Sequence, residues 1–106
     1  MVGRMSTDPR PLSEAEAAEQ LPPGWRVEDA HLRADYRTGS MVRGLAFVAD
    51  IVAAAEALNH HPDLDFRYGT VGLSLTTHDV GGLTEADVRL ARQIADLASV
   101  QDLSAE

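Results

Sequence analysis

Apolar residues recur at three- and four-residue intervals through "MVRGLAFVADIVAAAEALNH", residues 41–60, which marks this stretch as the clearest helix of the chain. Leu45, Val48, Val52 and Ala55 carry the stripe, and Phe47, Ile51 and Leu58 widen it. Only Arg43, Asp50 and Glu56 are charged along its body, so the helix is expected to be covered on more than one side. Thr38, Gly39 and Ser40 break the preceding strand and supply an N-cap. Pro62 is expected to end the helix, because its ring removes a donor and clashes with the turn before it.

Downstream the period changes to two. In "TVGLSLTTH", residues 70–78, Val71, Leu73 and Leu75 point one way and Gly72, Ser74 and Thr76 the other. "LDFRY" at 64–68 is a second strand, with Gly69 as the tight turn between them. "DVGG" at 79–82 is a glycine-rich turn, and "LTEADVRLARQIADLAS" is an amphipathic helix capped by Thr84, with Leu90, Ile94 and Leu97 on its buried face. Upstream, "SEAE" at 13–16 matches a capping box for a short helix that "LPPG" at 21–24 stops. "WRV" and "HLRADYR" flank the turn "EDA" as a hairpin over 25–37. Residues 1–11 read as a flexible leader, 12–100 as one domain and 101–106 as a tail that frays. The order is helix, two strands, helix, two strands, helix. It predicts an α+β fold with a four-stranded antiparallel sheet and three helices on one face.

Composition narrows the function. Of 106 residues 44% are hydrophobic but only 5% aromatic, so the core is expected to come from Leu, Val, Ile and Ala, with subunit burial helping so thin a core. The net charge of −8 opposes encounter with nucleic-acid backbones and anionic membranes, so neither is expected as a partner. The absence of cysteine excludes disulfides, thiolate nucleophiles and Cys-based zinc sites. The N-terminal stretch has no apolar signal region, and no apolar run is long enough to span a bilayer, so a cytoplasmic protein is expected.

Three of the four histidines, His60, His61 and His78, fall within nineteen residues. Histidine alone offers acid and base forms near neutrality without perturbation, and each proton-transfer role contributes about 10²- to 10⁴-fold in rate. Glu56, four residues before His60 on the same helix flank, is placed to accept from its ring. The plainer readings are a pair of helix-end cations for His60 and His61 and a capping carboxylate for Asp87. Zinc is the rival chemistry. Neighbouring histidines on a helix point about 100° apart, a poor chelating pair, and no metal is expected.

Glu56–x3–His60–His61–Pro62, followed by Tyr68, His78 and Asp87, resembles the signature of the pterin-4a-carbinolamine dehydratases, and "THDVGGLTEADVRLA" from Thr77 is similar to that family's C-terminal half. The resemblance covers about residues 12–100. It implies an αββαββα fold and a homotetramer built from sheet-extending dimers. It also implies a hydro-lyase that converts 4a-hydroxytetrahydrobiopterin to quinonoid dihydropterin and water, in recycling the pterin used by an aromatic amino-acid hydroxylase. No cofactor is implied, since the pterin is the substrate. By the resemblance His60, His61 and His78 line the pterin pocket. His61 and His78 are assigned proton transfer, and His60 positions the substrate or shares that role. Glu56 and Asp87 are supporting carboxylates, and Pro62, Thr77 and Asp79 are substrate contacts. The alternative is a non-catalytic binding, dimerisation or assembly module on the same fold, since relatives of the family act as a transcription-factor dimerisation cofactor and as a chaperone-like factor for a carboxylating enzyme.

Overall fold

The computed structural model describes residues 10–106, so all but the last two residues of the expected leader lie outside the described residues. Pro11 and Leu12, at the leader's boundary, form a short strand β1 that pairs antiparallel with β6, Leu83–Thr84. The capping box at Ser13 is present: Glu16 N–H donates to Ser13 Oγ at 3.0 Å and Ser13 N–H donates to Glu16 Oε1 at 2.8 Å. It starts α1, Glu14–Ala18, which buries Ala17.

The hairpin of β2, Arg26–Glu28, and β3, His31–Arg37, turns through Asp29 and Ala30, both left-handed with φ of 50° and 60°. A two-residue turn of that kind matches the natural twist of paired strands. β3 alternates as a half-buried strand should, with Leu32, Ala34 and Tyr36 inward and Arg33 and Asp35 outward. β4, Asp63–Arg67, and β5, Thr70–Leu75, make the second hairpin, and Val71, Leu73 and Leu75 face the core as their spacing requires. The antiparallel order is β2-β3-β5-β4.

α2, Met41–Leu58, and α3, Glu85–Val100, pack together and over the apolar face of the sheet. The fold is therefore α+β as expected, with two added pieces, the β1–β6 pair and a docked C-terminus. The segment expected to fray instead docks: β7, Ser104–Ala105, pairs with Tyr36 and Arg37 of β3, and Leu103 is buried. Arg37 Nε donates to Glu106 at 2.8 Å, and Gln101 Nε2 donates to Asp50 on α2 at 2.7 Å. Apolar anchoring by one leucine and polar ties to two elements outweigh the entropy of six residues. Gly24, at φ +88°, lets the chain pass against Ala105, where a Cβ would fall 2.3 Å from the alanine methyl.

Two expectations about the core need correction. Its centre is aromatic: Tyr36 packs edge-on against Phe47 with centroids 5.2 Å apart and against Trp25 at 6.4 Å. Few aromatics in the composition do not make a core without them, because Trp25, Tyr36 and Phe47 are buried together. On α2 the buried stripe is Gly44, Phe47, Ile51 and Ala55. Leu45 and Val52 remain 59% and 46% exposed, beside exposed Met41 and Val42. The helix is apolar on more faces than one sheet can cover.

Trp25 Nε1–H donates to the Tyr36 hydroxyl at 2.8 Å inside this core. Tyr36→Phe leaves that donor without an acceptor and is expected to cost about 1–3 kcal/mol in urea unfolding followed by tryptophan fluorescence. Burial also pushes the Tyr36 phenol above its ordinary value, against the opposing hydrogen bond from Trp25. The unfolded phenol ionises at about pH 10 while the folded one keeps its proton. Stability from this difference is intact below that pH and declines as pH rises through it, a decline that Tyr36→Phe should lack.

Candidate active site

Three chain segments meet at the N-terminus of α3. The first is the exit from α2. Asn59 adopts the left-handed conformation at φ 53° and ψ 44°, His60 N–H donates to Ala55 O at 3.0 Å, and Asn59 N–H donates to Glu56 O at 3.2 Å. This pair of backward bonds is the Schellman termination. The helix thus ends at Asn59, three residues before Pro62, because asparagine tolerates the left-handed region. His60 and His61 consequently lie past the helix and not on its last turn, which corrects the geometry expected for both.

The second segment follows β5. Thr77 N–H donates to Gly82 O at 2.8 Å and Gly82 N–H returns to Thr77 O at 3.4 Å, closing the base of a short excursion. Within it His78–Val80 form one 3-10 turn, and Gly81, at φ 66°, reverses the chain. His78 and Asp79 stand exposed on this turn, whereas Thr77 at its base is buried. Among the described residues neither His78 nor Asp79 has a side-chain hydrogen bond.

The third segment is the capping box of α3. Thr84 caps the helix, and Asp87, fully buried, accepts from the Thr84 N–H through Oδ2 at 2.9 Å. The same oxygen accepts from the Thr77 hydroxyl at 2.7 Å. Oδ1 lies 2.5 Å from His60 Nε2, whose side chain is 14% exposed. One carboxylate therefore joins the α2 exit, the loop after β5 and the start of α3. Its desolvation is offset by three partners.

The expected pairing of Glu56 with His60 is not formed. Because the chain turns at Asn59, His60 swings to Asp87, and Glu56 instead contacts His61, with Oε2 2.6 Å from Nε2. This second pair is open to solvent, with His61 52% and Glu56 68% exposed. Pro62 is half-buried and leads into β4. Of the residues proposed from sequence, His60, Thr77 and Asp87 are in one network and Glu56 and His61 in a neighbouring pair. His78 and Asp79 follow Thr77 directly. Thr84 was legible only as a cap. Its hydroxyl also lies 2.8 Å from Thr77 Oγ1, a contact across seven residues that no helical or strand period encodes.

The arrangement supplies two imidazoles oriented by carboxylates and a third on an adjoining turn, which suits proton transfer. Asp87→Asn puts an amide where three donors converge, so one NH₂ must face another donor. Unfolding in denaturant is expected to show a loss of about 1–3 kcal/mol. Glu56→Gln, on an exposed pair, is expected to stay within about 0.5 kcal/mol of the unsubstituted protein.

Known proteins resemble this chain in sequence and fold. A family model described as pterin 4 alpha carbinolamine dehydratase matches residues 10–97. A protein of Chloroflexus aurantiacus is 48% identical over 88 residues, covering 81% of this chain and 95% of that protein. One from Streptomyces coelicolor is 44% identical over 92 residues, covering 84% and 91%. Both bear the name "Putative pterin-4-alpha-carbinolamine dehydratase". Among solved structures, a transcriptional coactivator/pterin dehydratase from Brucella melitensis superposes with a TM-score of 0.78 at 30% identity, covering 84% of this chain and 99% of that one. A pterin dehydratase-like RuBisCO assembly factor of the alpha-carboxysome shares the fold, with a TM-score of 0.58 at 23% identity over 70% of this chain and 86% of that one. The chain with the Asp87-centred network belongs to the pterin-4a-carbinolamine dehydratase family.

Proposed function

We propose that this protein dehydrates 4a-hydroxytetrahydropterins to quinonoid dihydropterins by histidine acid/base catalysis. The observation that carries the reading is the convergence on Asp87: His60 binds one carboxylate oxygen, and Thr77, the residue before His78, binds the other. The reaction needs a proton delivered to the 4a-hydroxyl, which departs as water with the electron pair of the C4a–O bond. It also needs a proton taken from N5, whose electrons form the C4a=N5 double bond. His61 and His78 are the proposed proton-transfer groups, with His60 sharing in the transfer. Glu56 and Asp87 hold the rings, and Pro62, Thr77 and Asp79 border the pterin. Neither step calls for a metal or a redox cofactor. The activity would serve an aromatic amino-acid hydroxylase in the cytoplasm, and no helix of the described residues is long and apolar enough to cross a membrane.

Association into dimers or a tetramer is part of the same proposal. It is supported by the exposed apolar side of α2, at Met41, Val42, Leu45 and Val52, and by β4, which pairs only with β5 among the described residues. That apolar side also favours a second reading, in which the fold acts as an assembly module without catalysis.

Purified protein is expected to accelerate loss of a 4a-hydroxytetrahydropterin, followed by ultraviolet absorbance. His61→Ala or His78→Ala should lower the rate by at least about tenfold without unfolding the chain. A rate equal to buffer from folded protein rejects the enzyme in favour of the module. Light scattering is expected to find an oligomer, and Leu45→Glu combined with Val52→Glu should shift it towards monomer.

A further inference from the structure

Thr84 makes a bond that helix capping does not require. Its Oγ1 accepts from Ala86 N–H at 3.2 Å, which is the cap, and also lies 2.8 Å from Thr77 Oγ1. Thr77 Oγ1 is in turn 2.7 Å from Asp87 Oδ2. An ionised carboxylate only accepts, so the Thr77 proton points to Asp87. The proton between the two threonines then belongs to Thr84. Hydroxyl protons thus run one way, from Thr84 to Thr77 to Asp87. The Thr84 N–H fills the second position on Oδ2 at 2.9 Å. Oδ1 is left to His60 Nε2 at 2.5 Å, and against an ionised carboxylate the proton of that contact is carried by the nitrogen. The other ring nitrogen, Nδ1, has no partner among the described residues.

We propose that Thr84 is a positioning residue: its hydroxyl, acting through Thr77 and Asp87, holds the His60 ring with its proton on Nε2 and leaves Nδ1 as a proton acceptor. The consequence for the reaction rests on the dehydratase reading, whereas the ring's proton arrangement does not. In the reaction His60 shares in the transfer through Nδ1, which takes the N5 proton, the electrons released form C4a=N5, and the hydroxyl leaves as water after protonation by His61 or His78. Asp87 stabilises the imidazolium that results and keeps the Thr77, Thr84 and Nε2 donors throughout. Thr84 and Thr77 are both almost fully buried, so water does not compete for the line.

Nitrogen NMR of labelled protein reads the arrangement directly. His60 is expected to show a protonated Nε2 with a slowly exchanging proton and an unprotonated Nδ1. Thr84→Val keeps the side-chain volume and removes the donor, and is expected to speed exchange of that proton at least about tenfold. Kinetically it should lower kcat by about tenfold with little change in KM, and Thr84→Ser should restore both readouts. A proton on Nδ1 in the unsubstituted protein, or an unchanged Nε2–H signal in folded Thr84→Val, overturns the proposal. If Thr84→Val does not fold, Thr77→Val breaks the same line one link nearer His60, and an unchanged signal there overturns it equally. The expected NMR pattern in a protein without dehydratase activity supports the Thr84 assignment and rejects the enzyme reading alone.

Discussion

Burial of the Asp87 carboxylate is the constraint on which the site depends. A charge fully removed from water is tolerated only when its lone pairs are occupied by donors of good geometry, and here the donors come from three separate elements. The backbone amide is local, contributed by the helix that Asp87 itself begins. The Thr77 hydroxyl and the His60 ring are not, and each fixes a loop whose path would otherwise be loosely specified. A helix N-terminus also favours a negative charge on electrostatic grounds, so the carboxylate is held both by bonds and by the dipole of α3. The same residue therefore starts a helix, ties down two loops and orients an imidazole.

The sheet and the aromatic core make that convergence possible. Phe47, packed edge-on against Tyr36 of β3, and the contacts of α2 with β4, β5 and α3 seat the helix, which sets where it delivers the chain. Gly44 allows close approach at the other end, since a Cβ there would lie 2.9 Å from the Phe66 ring. With α2 fixed at both ends, the left-handed Asn59 delivers His60 inward and leaves His61 at the surface. Two consecutive histidines thus occupy unlike environments, one nearly enclosed with a buried aspartate and one wet beside an exposed glutamate. The difference between their environments follows from the backbone at Asn59, not from the side chains.

Local rules read from the sequence transferred well. Both capping boxes, the inward alternation of Val71, Leu73 and Leu75, and the burial of Leu90 and Ile94 follow from short-range geometry, and all are present. Tertiary competition decided the rest. The stripe on α2 was ambiguous because nearly every face is apolar, and packing selected Phe47 and Ile51 over Leu45 and Val52. Asn59 preceded the more conspicuous Pro62 as the stop, and that shift of three residues moved Glu56 from the expected His60 to His61. The bond from Thr84 to Thr77, like the docking of residues 101–106, joins segments whose proximity depends on the completed fold.

The docked C-terminal strand has a consequence for the order in which the molecule assembles. His60 and Asp87 are 27 residues apart in the chain, whereas Arg37 and Glu106 are separated by 69. Loop-closure entropy rises as 1.5RT times the logarithm of loop length, so the longer closure costs about 0.8 kcal/mol more. The longer loop also encloses the whole of the site, α2 and the second hairpin. The Asp87 network can condense as a compact unit before the final strand arrives. The strand then acts as the last clasp, closing on β3 after the Asp87 network has joined three elements.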